Sequence, residues 1–211
     1  MEKMDKKEIQ RQRMMKYFIE AGKQIILEEG VKNVTVRKVA DLAGYSYATL
    51  YNYFEDLSAL LYHCGVGFLD ECCEYVKNAE KPCGDEKQRV KNSIMHYARY
   101  FIQFPQQFQL LFIENIGSEP PEEIASAVNQ PEVARALAKI LWDYGNEIGL
   151  TAEEAAMLVE LIGGYVHGKL LFYIKRTQDK EDGKFLECID QELEYLLEAV
   201  KRSDNQSEQK V

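Results

Sequence analysis

"TVRKVADLAGYSYATLYNYF", residues 35–54, decides the fold. Thr35 is an N-cap residue type and opens a short helix that ends near Leu42. "AGYS" (43–46) breaks that helix, and Ser46 can cap a second one. Tyr45, Tyr47, Tyr51 and Tyr53 fall in pairs two apart, which taken alone reads as a strand. The period of two misleads, because the segment spans a turn and then a helix. Two short helices joined by a tight glycine-containing turn form a helix-turn-helix, expected over about 35–54.

With Ser46 at the origin of a helical wheel and about 100° per residue, Leu50 and Phe54 share an inward face. Ala48, Thr49 and Asn52 point outward, and Tyr51 and Tyr53 lie on opposite flanks. Tyr45 belongs to the turn and is expected to pack inward. That layout suits a helix laid in a DNA major groove. Small or polar residues face the base edges, and hydroxyl-bearing rings reach the phosphate walls. Ala48 matters by being small, since it permits close approach. An isolated tyrosine is more often a core-edge residue. Four of them after a glycine turn, beside Arg37 and Lys38, favour the groove.

The longer stretch "TVRKVADLAGYSYATLYNYFEDLSALL" (35–61) resembles the DNA-binding signature of the TetR family of bacterial transcriptional regulators. The resemblance covers roughly residues 10–70. It rests on Thr35, Val39-Ala40, Ala43-Gly44, Ser46, Leu50-Tyr51 and Tyr53-Phe54. It implies that Thr35 contacts phosphate, that Arg37 lies near the groove, and that Ser46, Tyr47, Ala48, Thr49 and Asn52 meet bases or nearby backbone. Tyr51 and Tyr53 would grip phosphates. Tyr45, Tyr47 and Ala48 stand where the family often has a small aliphatic, lysine and glycine. Leu57 stands where it usually has a phosphate-binding lysine, so a modest salt dependence of DNA binding is expected.

The charge distribution fits a front and a body with different partners. The chain of 211 residues has a net charge of −9. Residues 1–54 nevertheless carry ten Lys/Arg against seven Asp/Glu, and residues 55–211 carry 16 against 28. The N-terminal stretch is charged, not a signal peptide, so a cytoplasmic protein without membrane association is expected. The five cysteines are odd in number and contain no CxxC, which argues against a disulfide framework. Cys64, Cys72 and Cys73 are small hydrophobes of one helix on the ordinary reading; the alternative is a redox- or metal-responsive regulator acting through them.

Nearly every other segment reads as helix, giving an all-α protein of about nine helices. "KPCGD" (81–85) and "QDKEDG" (178–183) read as loops, Asp85 with Gln88 and Thr151 with Glu154 as capping boxes, and Pro105 as a helix start. The expected domains are a DNA-binding domain at 1–56, an effector-binding and dimerisation domain at 57–202, and a disordered tail at 203–211.

Residues 96–112, "HYARYFIQFPQQFQLLF", are rich in rings. Core is the default reading for them. The family resemblance implies a small-molecule cavity in the body. The candidate lining is His96, Tyr97, Tyr100, Phe101, Phe104, Phe108 and Phe112, joined by Trp142 and His167. Residues 157–174, "MLVELIGGYVHGKLLFYI", are apolar on nearly all sides, so a second partner surface is needed. With the apolar stripe of the last helix they suggest a two-fold four-helix dimer interface, as the resemblance also implies. Its candidate residues are Ile162, Gly164, Tyr165, Gly168, Phe172, Ile189, Leu193 and Leu196.

No Ser/His/Asp set, paired-carboxylate motif, phosphate loop or HExxH supports enzyme chemistry, and neither a cofactor nor a metal is expected. The expected function is a homodimeric repressor of a nearby operon. It would bind a pseudo-palindromic operator in double-stranded DNA and be released by an unidentified small-molecule effector. A helical small-molecule binder or enzyme with an incidental helix-turn-helix is the rival from another class.

Overall fold

The computed structural model describes residues 6–79, 84–176 and 181–207, with side chains through Lys201. Residues 81–83 and 178–180 of the two expected loops, and 208–211 of the expected tail, lie outside them. Among the described residues every regular element is helical. The helices are α1 (Lys6–Glu29), α2 (Val36–Ala43), α3 (Tyr47–Leu50), α4 (Leu57–Ala79), α5 (Glu86–Gln103), α6 (Pro105–Phe112), α7 (Glu122–Asn129), α8 (Glu132–Glu147), α9 (Ala152–Lys175) and α10 (Asp182–Ser207), with a 3₁₀ turn at Val31–Asn33. Among the described residues the fold is all-α as expected, with ten α-helices. The last one runs to Ser207, past the boundary read at 202.

Local chemistry accounts for the starts of these helices. Thr151 accepts from the Glu154 amide, and Glu154 reaches back to the Thr151 amide at 2.8 Å, completing the predicted capping box. Asp56 caps α4 by accepting from the Ala59 amide at 2.7 Å. Pro105 stands at the start of α6, where its missing N–H costs nothing. At Asp85 the box is different from the one expected. The carboxylate accepts from the Lys87 amide, and Gln88 donates to Asn92.

The chain folds as two compact units, Met1–Asp70 with Phe104–Pro131 and Glu71–Gln103 with Glu132–Val211. This division differs from the expected break after residue 56. Residues 57–70 of α4 pack with the N-terminal helices, and α6 returns to α1.

In the first unit, Phe18, Ile25 and Ile26 of α1 meet Val39, Leu50, Phe54, Leu60, Cys64, Phe68 and Leu110 in one core. Burying each large side chain contributes about 1.5–3 kcal/mol. Gly22 lets α1 and α4 approach, since a Cβ there would sit 2.9 Å from the Cys64 sulfur. Lys23 is nearly buried. Its stem packs in the core while its Nζ lies 5.2 Å from the Phe68 ring and 3.9 Å from Glu20.

In the second unit α5 is packed against α8, α9 and α10. Gly145 of α8 permits close contact with α9, a Cβ there falling 3.3 Å from that of Ala155. Tyr144, fully buried, donates to the Leu197 carbonyl at 3.1 Å. Lys91 and Lys87 of α5 bind Asp190, Glu194 and Glu198 of α10, so the two helices are joined by charge as well as by Ile189, Leu193 and Leu197. Between α9 and α10, Glu192 accepts from Lys169, Tyr165 and Cys188. These bonds, led by that from Lys169, hold its carboxyl well down, at about 2.

Candidate DNA-binding surface and body cleft

The helix-turn-helix is fixed by three local devices. Thr35 has extended backbone and its side chain accepts from the Lys38 amide at 3.2 Å, capping α2. Gly44 ends α2 in the left-handed region (φ 79°), and the Tyr45 amide bonds back to the Ala40 carbonyl at 2.9 Å. This is a Schellman turn, and a Cβ at Gly44 would oppose it. Ser46 then caps α3, accepting from the Thr49 amide at 3.2 Å, while its Oγ lies 2.9 Å from Thr49 Oγ1. The two hydroxyls are therefore linked to each other before any ligand arrives.

The recognition helix stops short of Phe54, the last position placed on the helical wheel. Only 47–50 is α-helical. Beyond it the Asn52 and Tyr53 amides bond three residues back, to Thr49 and Leu50, in a tightened 3₁₀ turn. The wheel survives where packing anchors it, with Leu50 and Phe54 buried as expected. Tyr47, Ala48, Tyr51 and Asn52 are exposed and Thr49 half-buried. Thr35, Arg37 and Ser46 are exposed too, and Arg37 lies 3.8 Å from Asp41.

The four tyrosines divide unequally. Tyr47 (65% exposed) and Tyr51 (51%) present their rings to solvent. Tyr53 is half-buried, with its ring 5.9 Å from Phe18 and 5.8 Å from the Arg11 guanidinium. Tyr45 was expected to pack inward. Its ring meets Phe18 at 5.6 Å and Tyr17 at 6.3 Å, yet 38% of the residue remains exposed. It packs by one face on the edge of the core.

Arg11 was not singled out from sequence. It donates to the carbonyls of Asn52 and Tyr53 at 3.2 and 3.4 Å, receiving the chain end of the recognition turn. Helix C-termini leave such carbonyls without intrahelical donors. No local signal marks the residue, because the contact joins positions 41 and 42 apart. Leu57, where a lysine would stand in the resembling family, packs against the first unit's core instead of facing outward.

The second unit holds an apolar cleft of about 410 Å³ between α5, α8 and α9. Of the nine candidate lining residues, Tyr97 and His167 border it. Their side chains meet, Tyr97 Oη to His167 Nε2 at 2.7 Å. Burial lowers the His167 pKa and raises that of Tyr97, so both are held neutral. The rest of the wall is small and aliphatic, including Ala134, Leu137, Ala138, Val159 and Gly163.

The remaining rings go elsewhere, for a reason the run 96–112 conceals. It crosses from one unit to the other at Gln103/Phe104. Tyr100 and Phe101 are core residues of the second unit, and His96 stands 6.4 Å from the Tyr75 ring. Phe104, Phe108 and Phe112 belong to the first, Phe108 buried against Phe112 at 4.9 Å. Trp142 is 37% exposed on α8 and does not border the cleft. Two hollows of about 510 and 520 Å³ are larger, but charged groups line them, such as Lys169, Arg176 and Lys184 in one and Arg11, Asp56 and Glu123 in the other.

The interface residues also need correction. Ile162, Ile189 and Leu193 are buried within the second unit itself, so they are core and not a free surface. Gly164 and Phe172 are exposed, and Tyr165, Gly168 and Leu196 half-buried. Exposed apolar neighbours missed from sequence are Met157 (69%), Leu161 (49%) and Tyr195 (75%). A Cβ at Gly164 or Gly168 would meet nothing within 4 Å, so neither glycine is required by the protomer's own packing. α9 is long and apolar enough to cross a membrane, but it reads equally as a helix with a second apolar face.

Cys64, Cys72 and Cys73 are buried, and burial pushes all three thiols up, Cys64 to about 12. A sensor or metal ligand works through the thiolate, which burial here disfavours.

Against known proteins, residues 18–63 match the model of bacterial regulatory proteins of the tetR family. No curated protein sequence matches closely enough to count as a relative. Among solved structures, RolR in complex with resorcinol is 17% identical, with a TM-score of 0.65 over 87% of this chain and 88% of that one. A TetR transcriptional regulator from Rhodococcus sp. RHA1 is 21% identical, with a TM-score of 0.60 over 88% and 96%. A tetR-family transcriptional regulator from Streptomyces coelicolor is 15% identical, with a TM-score of 0.66 over 93% and 85%. Residues 18–63 thus match the helix-turn-helix domain of the tetR family of bacterial regulatory proteins, and they are set in a chain with the fold of these regulators.

Proposed function

We propose that this regulator is a homodimeric, cytoplasmic repressor that binds a pseudo-palindromic operator near its own gene and leaves it when a small molecule occupies the cleft between α5, α8 and α9. The observation that carries the DNA reading is the capped α2–turn–α3 unit, which leaves Tyr47, Ala48, Tyr51 and Asn52 exposed over a buried Leu50 and Phe54. A two-fold dimer would present two such surfaces to half-sites about one helical turn, ~34 Å, or a multiple of it apart. The exposed apolar seam of Met157, Leu161, Gly164 and Phe172 supports the dimer. The apolar cleft supports the effector, and RolR, with the same fold, was solved with resorcinol bound.

Release follows from population shift. An effector that binds one body conformation better displaces the equilibrium by its differential affinity. α4 contributes residues to both compact units and is the natural lever. The test is fluorescence anisotropy on palindromes beside the gene, with a random duplex as competitor. A preference of roughly a thousandfold or more is expected for a specific site. Equal affinity for the palindromes and random DNA would remove the regulator reading.

A further inference from the structure

The cleft's chemistry restricts what can occupy it. Its described lining contains one carboxylate, Glu160, and no lysine or arginine. An anion entering it would lose water and find no counter-charge. Apart from Glu160, the polar side chains of that lining are those of the Tyr97–His167 pair, 2.7 Å apart. A phenol bonded to a neutral imidazole offers a ligand either a remaining lone pair or a proton, depending on the imidazole tautomer. A hydroxyl group both donates and accepts, so it satisfies either arrangement, whereas a carbonyl or an ammonium satisfies only one.

Building on the effector reading above, we propose that the cleft takes an uncharged, mainly apolar small molecule whose hydroxyl group meets the Tyr97–His167 pair. Size agrees with this, since about 410 Å³ lies toward the small end of ligand pockets. Aliphatic walls such as Leu137 and Val159 supply contact without direction, and the dyad supplies direction.

Three probes of one skeleton separate the terms: 1-naphthol, naphthalene and 1-naphthoate, titrated by calorimetry into the full chain. Naphthol is expected to bind about fivefold to tenfold more tightly than naphthalene, the usual worth of one hydrogen bond. Naphthoate is expected to bind at least tenfold more weakly than naphthol. In Tyr97→Phe the naphthol preference falls toward one while naphthalene binding persists. Gly163→Leu serves as the occupancy control. Position 163 borders the cleft and a Cβ there meets nothing within 4 Å, so an added side chain has room to start beside the cleft. It should weaken all three probes about tenfold or more. Naphthoate binding as tightly as naphthol, a preference undiminished in Tyr97→Phe, or probe affinity unchanged in Gly163→Leu each overturns the proposal. Operator affinity is read in parallel. If naphthol binds as stated and operator affinity does not change, the effector-release reading fails and the ligand class stands. If no probe binds but the palindrome is still preferred, the ligand class fails and the DNA reading stands.

Discussion

Tyr51 and Asn52 are neighbours to which the proposed DNA reading gives different work. Tyr51 ends α3 with helical backbone and an exposed ring, placed on the flank of the recognition turn. Asn52 has an exposed side chain, and Arg11 holds its carbonyl. A phosphate contact carries little sequence information, and a side chain on a base edge carries much of it. Tyr51→Phe should therefore weaken binding to operator and random DNA by a similar factor. Asn52→Ala should relax preference at one base pair per half-site by about 1–3 kcal/mol. Anisotropy against single-base operator variants separates the two. Equal loss of base preference in both would refute the division of roles. The tightened turn after Leu50 sharpens the choice of these two, because it brings Tyr53 partly onto Phe18 and under Arg11. Tyr53 then serves the fold as much as any DNA.

At the scale of helices, close approach and charge make separate contributions. Gly22 in α1 faces Cys64 in α4, and both are fully enclosed. Cys64 has a short side chain with no room to withdraw. Gly22→Ala should lower stability by about 1–3 kcal/mol in chemical denaturation, as overpacking does. Adding Cys64→Ala should recover part of the loss, and an unaltered midpoint in the single variant would contradict the packing. Between α9 and α10 the controlling group is Glu192. Its folded pKa lies below its ordinary value of 4.5, at about 2. Its contribution is thus present above pH 4.5 and is lost as pH falls toward 2. Because Glu192 is partly exposed, solvent screens the effect and its size is modest. Glu192→Gln should be less stable than the parent at neutral pH, with the difference shrinking as acid is added; a constant difference would sink the assignment. The helices themselves were legible in the sequence because periodicity and caps are local: Thr35, Ser46 and Thr151 all cap where their residue types suggest. The cleft was legible only in Tyr97 and His167. A run of seven rings does not disclose that the chain crosses between packing units inside it. Nor does an all-round apolar helix disclose which stripe is core, so Ile162 and Leu161 look alike until their neighbours are known.

At the scale of the whole molecule, the acidic body and mildly basic front set how binding responds to salt. Lys38 is paired with Glu29, Arg37 lies near Asp41, and Leu57 packs against the core, so none of these three positions offers phosphate an unpaired cation. Log K should fall with log salt less steeply than about −8, and a slope that steep or steeper would mean phosphate contacts not foreseen here. Specific binding also needs two recognition surfaces on one object, and hence the seam on α9. Leu161 is 49% exposed and Phe172 is 72% exposed, so a charge at either position leaves the protomer's core intact. In a two-fold interface each substitution acts twice. If Leu161 is a buried anchor in the dimer, Leu161→Asp costs about 2 kcal/mol per copy, roughly a thousandfold in the dimer dissociation constant. Sedimentation velocity should show the parent as a dimer and the variant as a monomer with unchanged helicity. The monomer should keep its weak affinity for random DNA, which depends on phosphate contacts, and lose its preference for the palindrome, which depends on pairing. A variant that remains dimeric at the parent's concentration places the interface elsewhere on the body.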